Sequence, residues 1–374
     1  MTIKLLFQMI FGVFSFNPKN MRWINLRRLL MVLFFFPFFL SVFIVNRFFL
    51  WLDFVIFPRF LKQKVEEPVF IISAPRSATT FLFHKLAQRE YYTCFKLWEI
   101  AFAPSICQKY LFLCFIWMDN KIGHPCKSVV LFLEDKILGN LKKIHLIGLN
   151  LPEEDEAVLL WSLSSFYLYF FYPDSHFFDD MALFDKELPA KRKQRIMSSY
   201  AKYIQRHNFV FNRDGARKYL SKNPLMMSKV EGIASVFPDA KILNINRCVS
   251  ESIPSTIELN RVLYALFTSR PITQEVDKRT FEILLDWFRL CEENLQKHFK
   301  GQHLKIDFVK MVSLEEKQIN EIALFLGVPQ EVFKNKSVFN DKKHKSFNSY
   351  QVLSEEEVDK VLNELPFMKG YCRY

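Results

Sequence analysis

Residues 68–80 read Pro-Val-Phe-Ile-Ile-Ser-Ala-Pro-Arg-Ser-Ala-Thr-Thr, and they constrain the fold more than any other stretch. A short apolar run rich in β-branched residues, Val69 to Ile72, stops at a turn of small residues. The turn carries one cation, Arg76, and three hydroxyls, Ser77, Thr79 and Thr80. A helix-like pattern, Phe81-Leu82-Phe83-His84-Lys85-Leu86, follows at once. Buried strand, tight loop and helix start together predict a cradle for a phosphate-like anion. The first N–H groups of a helix have no internal partner, and the helix dipole is positive there. Arg76 adds charge, and the hydroxyls add donors. No Gly-x-x-x-x-Gly-Lys-Ser/Thr occurs, which disfavours a generic ATPase.

A second anion site is expected further on. Pro238-Asp239-Ala240 leads into the apolar run Lys241–Asn246, which ends at Arg247. Ser255 stands eight residues later, in a helical segment starting near Glu251. Ligands of open α/β sheets bind beyond the carboxyl ends of strands, so Arg76 and Arg247 are both expected at that edge. Alone, Arg247 would read as an ordinary surface residue. Val69–Ser73, Lys218–Ser221, Lys241–Asn246 and Leu304–Phe308 have the pattern of buried parallel strands. Helical patterns alternate with them at Glu153–Phe170, Lys191–His207, Phe281–Phe299, Leu314–Leu326 and Ser354–Leu365, the last opening on a Ser354–Glu357 capping box. The expected fold is α/β: a P-loop-type central parallel sheet flanked by helices, preceded by an N-terminal hydrophobic anchor helix.

The two anion motifs resemble those of sulfotransferases. Pro75-Arg76-Ser77-Ala78-Thr79-Thr80 is similar to the family's 5′-phosphosulfate loop, Pro-Arg-Ser-Gly-Thr-Thr, with Ala78 in place of glycine. Ala74 also stands where many members have glycine. Alanine would cost on the order of 1 kcal/mol wherever φ must be positive. Arg247 and Ser255 match the Arg and Ser of the family's 3′-phosphate motif, although Cys248-Val249 replaces the usual Asp-Pro or Asn-Pro. Lys222-Asn223-Pro224 resembles the Lys-x-Pro element of the branch that includes tyrosylprotein and many bacterial sulfotransferases. Trp98-Glu99, His145-Leu146-Ile147-Gly148 with Leu151-Pro152-Glu153-Glu154-Asp155-Glu156, and Leu324-Phe325-Leu326-Gly327-Val328-Pro329 also resemble that branch. The likeness spans roughly residues 68 to 350 and leaves the N-terminal segment out.

The resemblance implies transfer of a sulfuryl group from 3′-phosphoadenosine 5′-phosphosulfate to a hydroxyl, without a metal. Arg76, Ser77, Ala78, Thr79 and Thr80 would hold the 5′-phosphosulfate, and Arg247 with Ser255 the 3′-phosphate. Lys222 would approach the sulfate. Glu99 would take the acceptor proton, its pKa raised by burial against Trp98 and Phe95. The Glu153–Glu156 acids read more readily as a solvated helix start. The Lys342-Lys343-His344-Lys345-Ser346 run reads as a charged loop that could also reach the nucleotide. Two rivals stay open: an inactive, membrane-anchored nucleotide-binding homologue, and a P-loop kinase or NTPase.

Residues 1–64 form a separate unit by composition. They contain fifteen of the 42 Phe and carry +8 of the formal net charge of +12. The basic balance therefore reports this segment and does not argue for a nucleic-acid partner. Leu29–Val45 is a 17-residue run without charge, flanked by Arg27, Arg28 and Arg47. A helix over it would span roughly 25 Å, near the lower limit for crossing a bilayer. A single-pass helix and an interfacial amphipathic anchor both fit, and a cleaved signal peptide does not. Residues 65–374 are expected to form the catalytic domain. Membrane anchoring favours a lipid, sterol or glycan hydroxyl as acceptor, in partnership with the lipid bilayer. Seven Cys without a Cys-x-x-Cys pair, and eight scattered His, suggest neither a zinc site nor a dense disulfide framework.

Overall fold

The computed structural model describes residues 12, 14–17, 19–87, 90–139, 142, 146–176, 178–334 and 353–372. Five parallel strands form its sheet: β1 (Val69–Ile72), β2 (Tyr92–Thr93), β3 (Lys218–Lys222), β4 (Lys241–Asn246) and β5 (His303–Asp307). Their order is β2-β3-β1-β4-β5. β1 is central because both its faces are apolar and buried, with all four residues inaccessible to solvent. Ile71 pairs with Lys222 on one side, and Ile72 with Asn244 on the other. Phe70 and Ile72 face one core cluster, Val69 and Ile71 the other. The carboxyl ends of β3, β1 and β4 therefore lie side by side at one edge.

The four expected strands are present within one residue at each end, and the short β2 is an addition. Helices at Ala190–Phe211, Gln274–His298, Glu316–Leu326 and Glu355–Glu364 match the expected patterns, and Ser354 and Glu357 form the reciprocal cap. The helix expected over Glu153–Phe170 does not form. The chain makes two 3-10 turns instead, Asp155–Ser162 and Phe166–Phe171, broken at the left-handed Leu163 (φ 50°). Glu156 causes the break. Its carboxylate accepts from the Ser165 hydroxyl at 2.6 Å and from the Phe166 N–H at 3.0 Å, and it pairs with Lys229 at 3.0 Å. These bonds replace the helical ladder.

Two features lie beyond the sequence expectations. Helices Ile106–Lys121 and Pro125–Leu138 form a hairpin, capped by Asp119, whose carboxylate accepts from the N–H groups of Cys126 and Lys127 at 2.8 and 3.1 Å. Cys248 and Cys372 form a disulfide, which ties the C-terminal segment to the residue after Arg247. The two N-terminal apolar stretches form one helix, Leu26–Ile56, that runs through Pro37. The Lys342–Ser346 run and His145 lie outside the described residues.

Candidate active site at the carboxyl edge of the sheet

The loop after β1 is wound by two left-handed residues, Arg76 (φ 66°) and Ala78 (φ 56°). Such residues turn successive N–H groups toward a shared concavity, the geometry that receives anions. Ala78 caps the helix Thr79–Leu86 without a side-chain bond. Ala78 thus sits where glycine would be unstrained, whereas Ala74 keeps a negative φ. An Ala78→Gly variant is expected to be more stable by about 1 kcal/mol, since relief of the left-handed penalty outweighs the extra freedom of the unfolded chain. A urea titration checks this, and a loss of stability would refute the strain.

Arg76 and Arg247 meet at this loop. Arg247 Nη1 donates to the Arg76 carbonyl at 2.6 Å. Arg76 Nε donates to Ser255 Oγ at 3.3 Å. Thr256, the next residue, donates to the Pro75 carbonyl at 3.3 Å. Arg247 also packs its guanidinium 4.6 Å from the Phe308 ring centroid and pairs with Glu251 at 2.7 Å. Two cations and one buried hydroxyl, far apart in sequence, are thus joined at one edge. The reason is topological, because β1 and β4 are neighbours and both end there.

Several buried polar atoms beside these groups have no partner among the described residues: Ser77 Oγ, Asn246 Nδ2, Ser252 Oγ and Asn223 Nδ2. Asn246 ends β4, and Ser77, Asn223 and Ser252 follow the ends of β1, β3 and β4. A buried donor left unpaired costs about 1–3 kcal/mol, so this clustering fits an edge completed by a polyanionic ligand. Thr79 and Thr80 open the helix at the same loop, Thr79 buried and Thr80 half-buried.

Lys222, the last residue of β3, is 1 % exposed. Its ammonium pairs with Glu154 at 2.8 Å and lies 5.8 Å from the Phe83 ring centroid. Glu154 also accepts from the Tyr167 hydroxyl. Beyond this pair lies a narrow slot of about 110 Å³. Pro75, Thr256, Phe166, Phe170, Tyr264 and Trp287 are among the residues that line it. Glu154 is the acid in its wall. The reading of Glu153–Glu156 as a solvated helix start is thereby corrected, since Glu153, Asp155 and Glu156 are buried and Glu154 is half-buried. Asp155 accepts from the hydroxyls of Tyr200, Tyr219 and Ser221 at 2.5, 2.6 and 2.9 Å, and burial raises its pKa to about 6. The missed signal was the set of hydroxyls supplied from distant segments, which no local pattern reveals.

Glu99 is buried elsewhere. His207 Nδ1 lies 2.8 Å from its carboxylate and Lys109 Nζ 3.7 Å, while the Lys96 N–H donates at 3.2 Å. Thr93 Oγ1 meets the other His207 nitrogen at 2.6 Å. The expected upward pKa shift is corrected in sign. Burial raises it, but His207 and Lys109 together overcome burial and hold the carboxyl below its ordinary range.

Comparison with known proteins decides the family. Residues 68–332 match the model of the sulfotransferase family. The chain belongs to that family. It is 23 % identical over 334 residues to the omega-hydroxy-beta-dihydromenaquinone-9 sulfotransferase Stf3 of Mycobacterium bovis and of Mycobacterium tuberculosis, covering 86 % of this chain and 80 % of theirs. In fold this sulfotransferase is similar to the crystal structure of sulfotransferase STF9 from Mycobacterium avium, with TM-score 0.67 and 16 % identity over 85 % of this chain and 80 % of that one. STF1 from Mycobacterium tuberculosis is also similar, with TM-score 0.63 and 15 % identity over 90 % and 86 %. The expected α/β fold agrees with both.

Proposed function

We propose that this sulfotransferase moves a sulfuryl group from 3′-phosphoadenosine 5′-phosphosulfate to the hydroxyl of an apolar, membrane-associated acceptor. The observation that carries the reading is the meeting of Arg76, Arg247 and Ser255 at the edge where Lys222 also ends. Residues 65–374 would form the catalytic domain, and residues 1–64 would attach it to a membrane. Bound there, the donor would supply the sulfuryl group and leave as adenosine 3′,5′-bisphosphate.

Arg76, the loop N–H groups, Ser77, Thr79 and Thr80 would hold the 5′-phosphosulfate by fixed positive potential. Arg247 and Ser255 would hold the 3′-phosphate, with Arg247 releasing the exposed Glu251 to do so. Lys222 would offset negative charge on the transferred group's oxygens in a site that excludes water. Glu154 would accept the proton of the acceptor hydroxyl, because its carboxylate pairs with Lys222 and the residue lines the slot. Glu99, the base implied by the family resemblance, is the second candidate. Its carboxylate contacts the pair His207–Lys109, which suits a fixed structural anion as well.

The slot supports an apolar acceptor. A cavity of about 150 Å³ lined by apolar groups takes a benzene-sized molecule. A slot of about 110 Å³ therefore suits the slender hydroxyl end of an alkyl or isoprenoid chain better than a sugar ring. The relative's name, a hydroxylated menaquinone sulfotransferase, supports a lipid hydroxyl as well. The test is incubation with radiolabelled sulfate donor and a membrane lipid extract, followed by identification of the labelled product. An apolar sulfated lipid is expected, and label confined to glycans would overturn the acceptor class. In the same assay Glu154→Gln should lower turnover by about 10²–10⁴-fold, the usual worth of a general base. Full activity in that variant, with loss in Glu99→Gln, would move the base to Glu99.

A further inference from the structure

The helix Leu26–Ile56 is tethered to the body at both ends. In its first turn Arg28 donates to the Phe267 carbonyl, and Arg27 to the Ala265 carbonyl at 2.9 Å. Midway, Phe39 stacks on Trp161 with centroids 5.9 Å apart. Near its end the buried Asp53 pairs with Arg206 at 2.8 Å. Arg28 and Asp53 are 25 residues apart, or about 37 Å along a helix, more than the roughly 30 Å of a bilayer's hydrocarbon core. A helix fastened over that length cannot cross a membrane without dragging the polar domain into hydrocarbon. Its outward stripe is nonetheless apolar, with Leu33, Phe38, Phe48, Trp51 and Val55 exposed.

The hairpin Ile106–Leu138 extends this surface. Asp53 holds its start by accepting from the Ile106 and Cys107 N–H groups at 3.0 and 3.1 Å. Asn46 Oδ1 accepts from Gln108 Nε2 at 2.6 Å. Val45 and Phe49 of the long helix and Leu111 and Phe112 of the hairpin line one groove, so the two apolar faces are continuous. Helix Pro125–Leu138 has no buried residue, and Val129 to Leu133 are five consecutive exposed apolar residues. At 100° per residue they cover the whole circumference. A protein partner would cover one side of such a helix, whereas acyl chains can surround it. The hairpin helices, 16 and 14 residues or about 24 and 21 Å, are too short to span. Lysines stand at both ends of the apolar stretch. Lys121 lies 5.7 Å from the Trp117 ring centroid and Lys136 5.0 Å from that of Phe132, arrangements suited to a helix lying flat among headgroups.

We propose that the protein is monotopic: the long helix and the hairpin form one apolar face that sinks into a single leaflet of a lipid bilayer. The spanning alternative is thereby set aside. Segments that line the acceptor slot also pack on the long helix. Phe171 and Phe267, which follow the slot residues Phe170 and Tyr264, pack on Phe35 of the long helix at 5.2 and 5.9 Å. The membrane contact itself does not rest on the sulfuryl-transfer reading.

The test uses the full chain and vesicles of phosphatidylcholine with phosphatidylglycerol. The double variant Leu131→Glu/Phe132→Glu should partition into vesicles at least tenfold more weakly, with affinity for adenosine 3′,5′-bisphosphate unchanged as the sign of an intact fold. Unchanged partition would overturn the proposal. So would conversion of a dimer to a monomer at unchanged partition, which would assign the face to a second copy. If the variant does not fold, brominated lipid should quench the fluorescence difference between the native protein and Trp117→Phe, and its failure to do so counts against insertion. In sealed membrane vesicles, tags fused to the two ends should be cut, or protected, together. Tags on opposite sides would mean a spanning helix and overturn the single-leaflet geometry.

Discussion

Replacing Lys222 by alanine is expected to lower sulfuryl transfer by at least 10²–10³-fold while affinity for adenosine 3′,5′-bisphosphate changes by only a few-fold. The ammonium is buried at the end of β3, against Glu154, in a place closed to water. A cation so placed acts most strongly on charge that develops during transfer, and less on the ground state. The substitution also leaves the half-buried Glu154 without its cation, which lowers stability. Thermal unfolding of the variant therefore accompanies the kinetics. Transfer is then measured at a temperature where both proteins remain folded, which separates the two effects. A folded variant with native turnover would show that the role assigned to Lys222 is wrong.

Arg247→Ala should weaken binding of adenosine 3′,5′-bisphosphate by tenfold or more, or about 1.4–3 kcal/mol for a charge-assisted contact. The effect has two sources. The guanidinium would bind phosphate directly, and it also holds the Arg76 carbonyl at 2.6 Å, in a loop where Arg76 adopts a left-handed conformation. Arg247→Lys should give an intermediate loss, since lysine keeps the charge but not the fork that serves both contacts. Titration calorimetry reads both variants, and unchanged affinity in Arg247→Ala removes the nucleotide assignment. Native affinity together with transfer to no lipid, sterol or glycan acceptor would instead favour the inactive homologue, for which the strained Ala78 is a structural motive.

The centre of the sheet was legible because β1 is a continuous apolar run buried on both faces and five of the six residues of β4 are buried, which leaves little tertiary choice about what they become. The loop after β1 was legible because its residue types declare an anion site locally. The hairpin Ile106–Leu138 was not anticipated, since its residues are apolar without a single buried face and so lack the usual amphipathic pattern. The break after Asp155–Ser162 was hidden too, because the Glu156 carboxylate that stops the helix is fixed by Lys229, more than seventy residues away. Glu99 shows the same limit. Burial was read from its neighbours Phe95 and Trp98, but the sign of its shift depends on His207 and Lys109.

The sequence alone determined a parallel α/β sheet, an anion loop at Arg76 and a second cation at Arg247, because strand burial, turn chemistry and helix starts are written in neighbouring residues. Only the tertiary structure decided that Lys222 faces Glu154, that Glu99 is clamped by His207 and Lys109, and that the long apolar helix lies along the domain. Apart from Lys109, only ten residues from Glu99, those outcomes depend on charges that meet across about 70 to 150 residues of chain. A buried charge settles wherever its partner is, and no local pattern records that position.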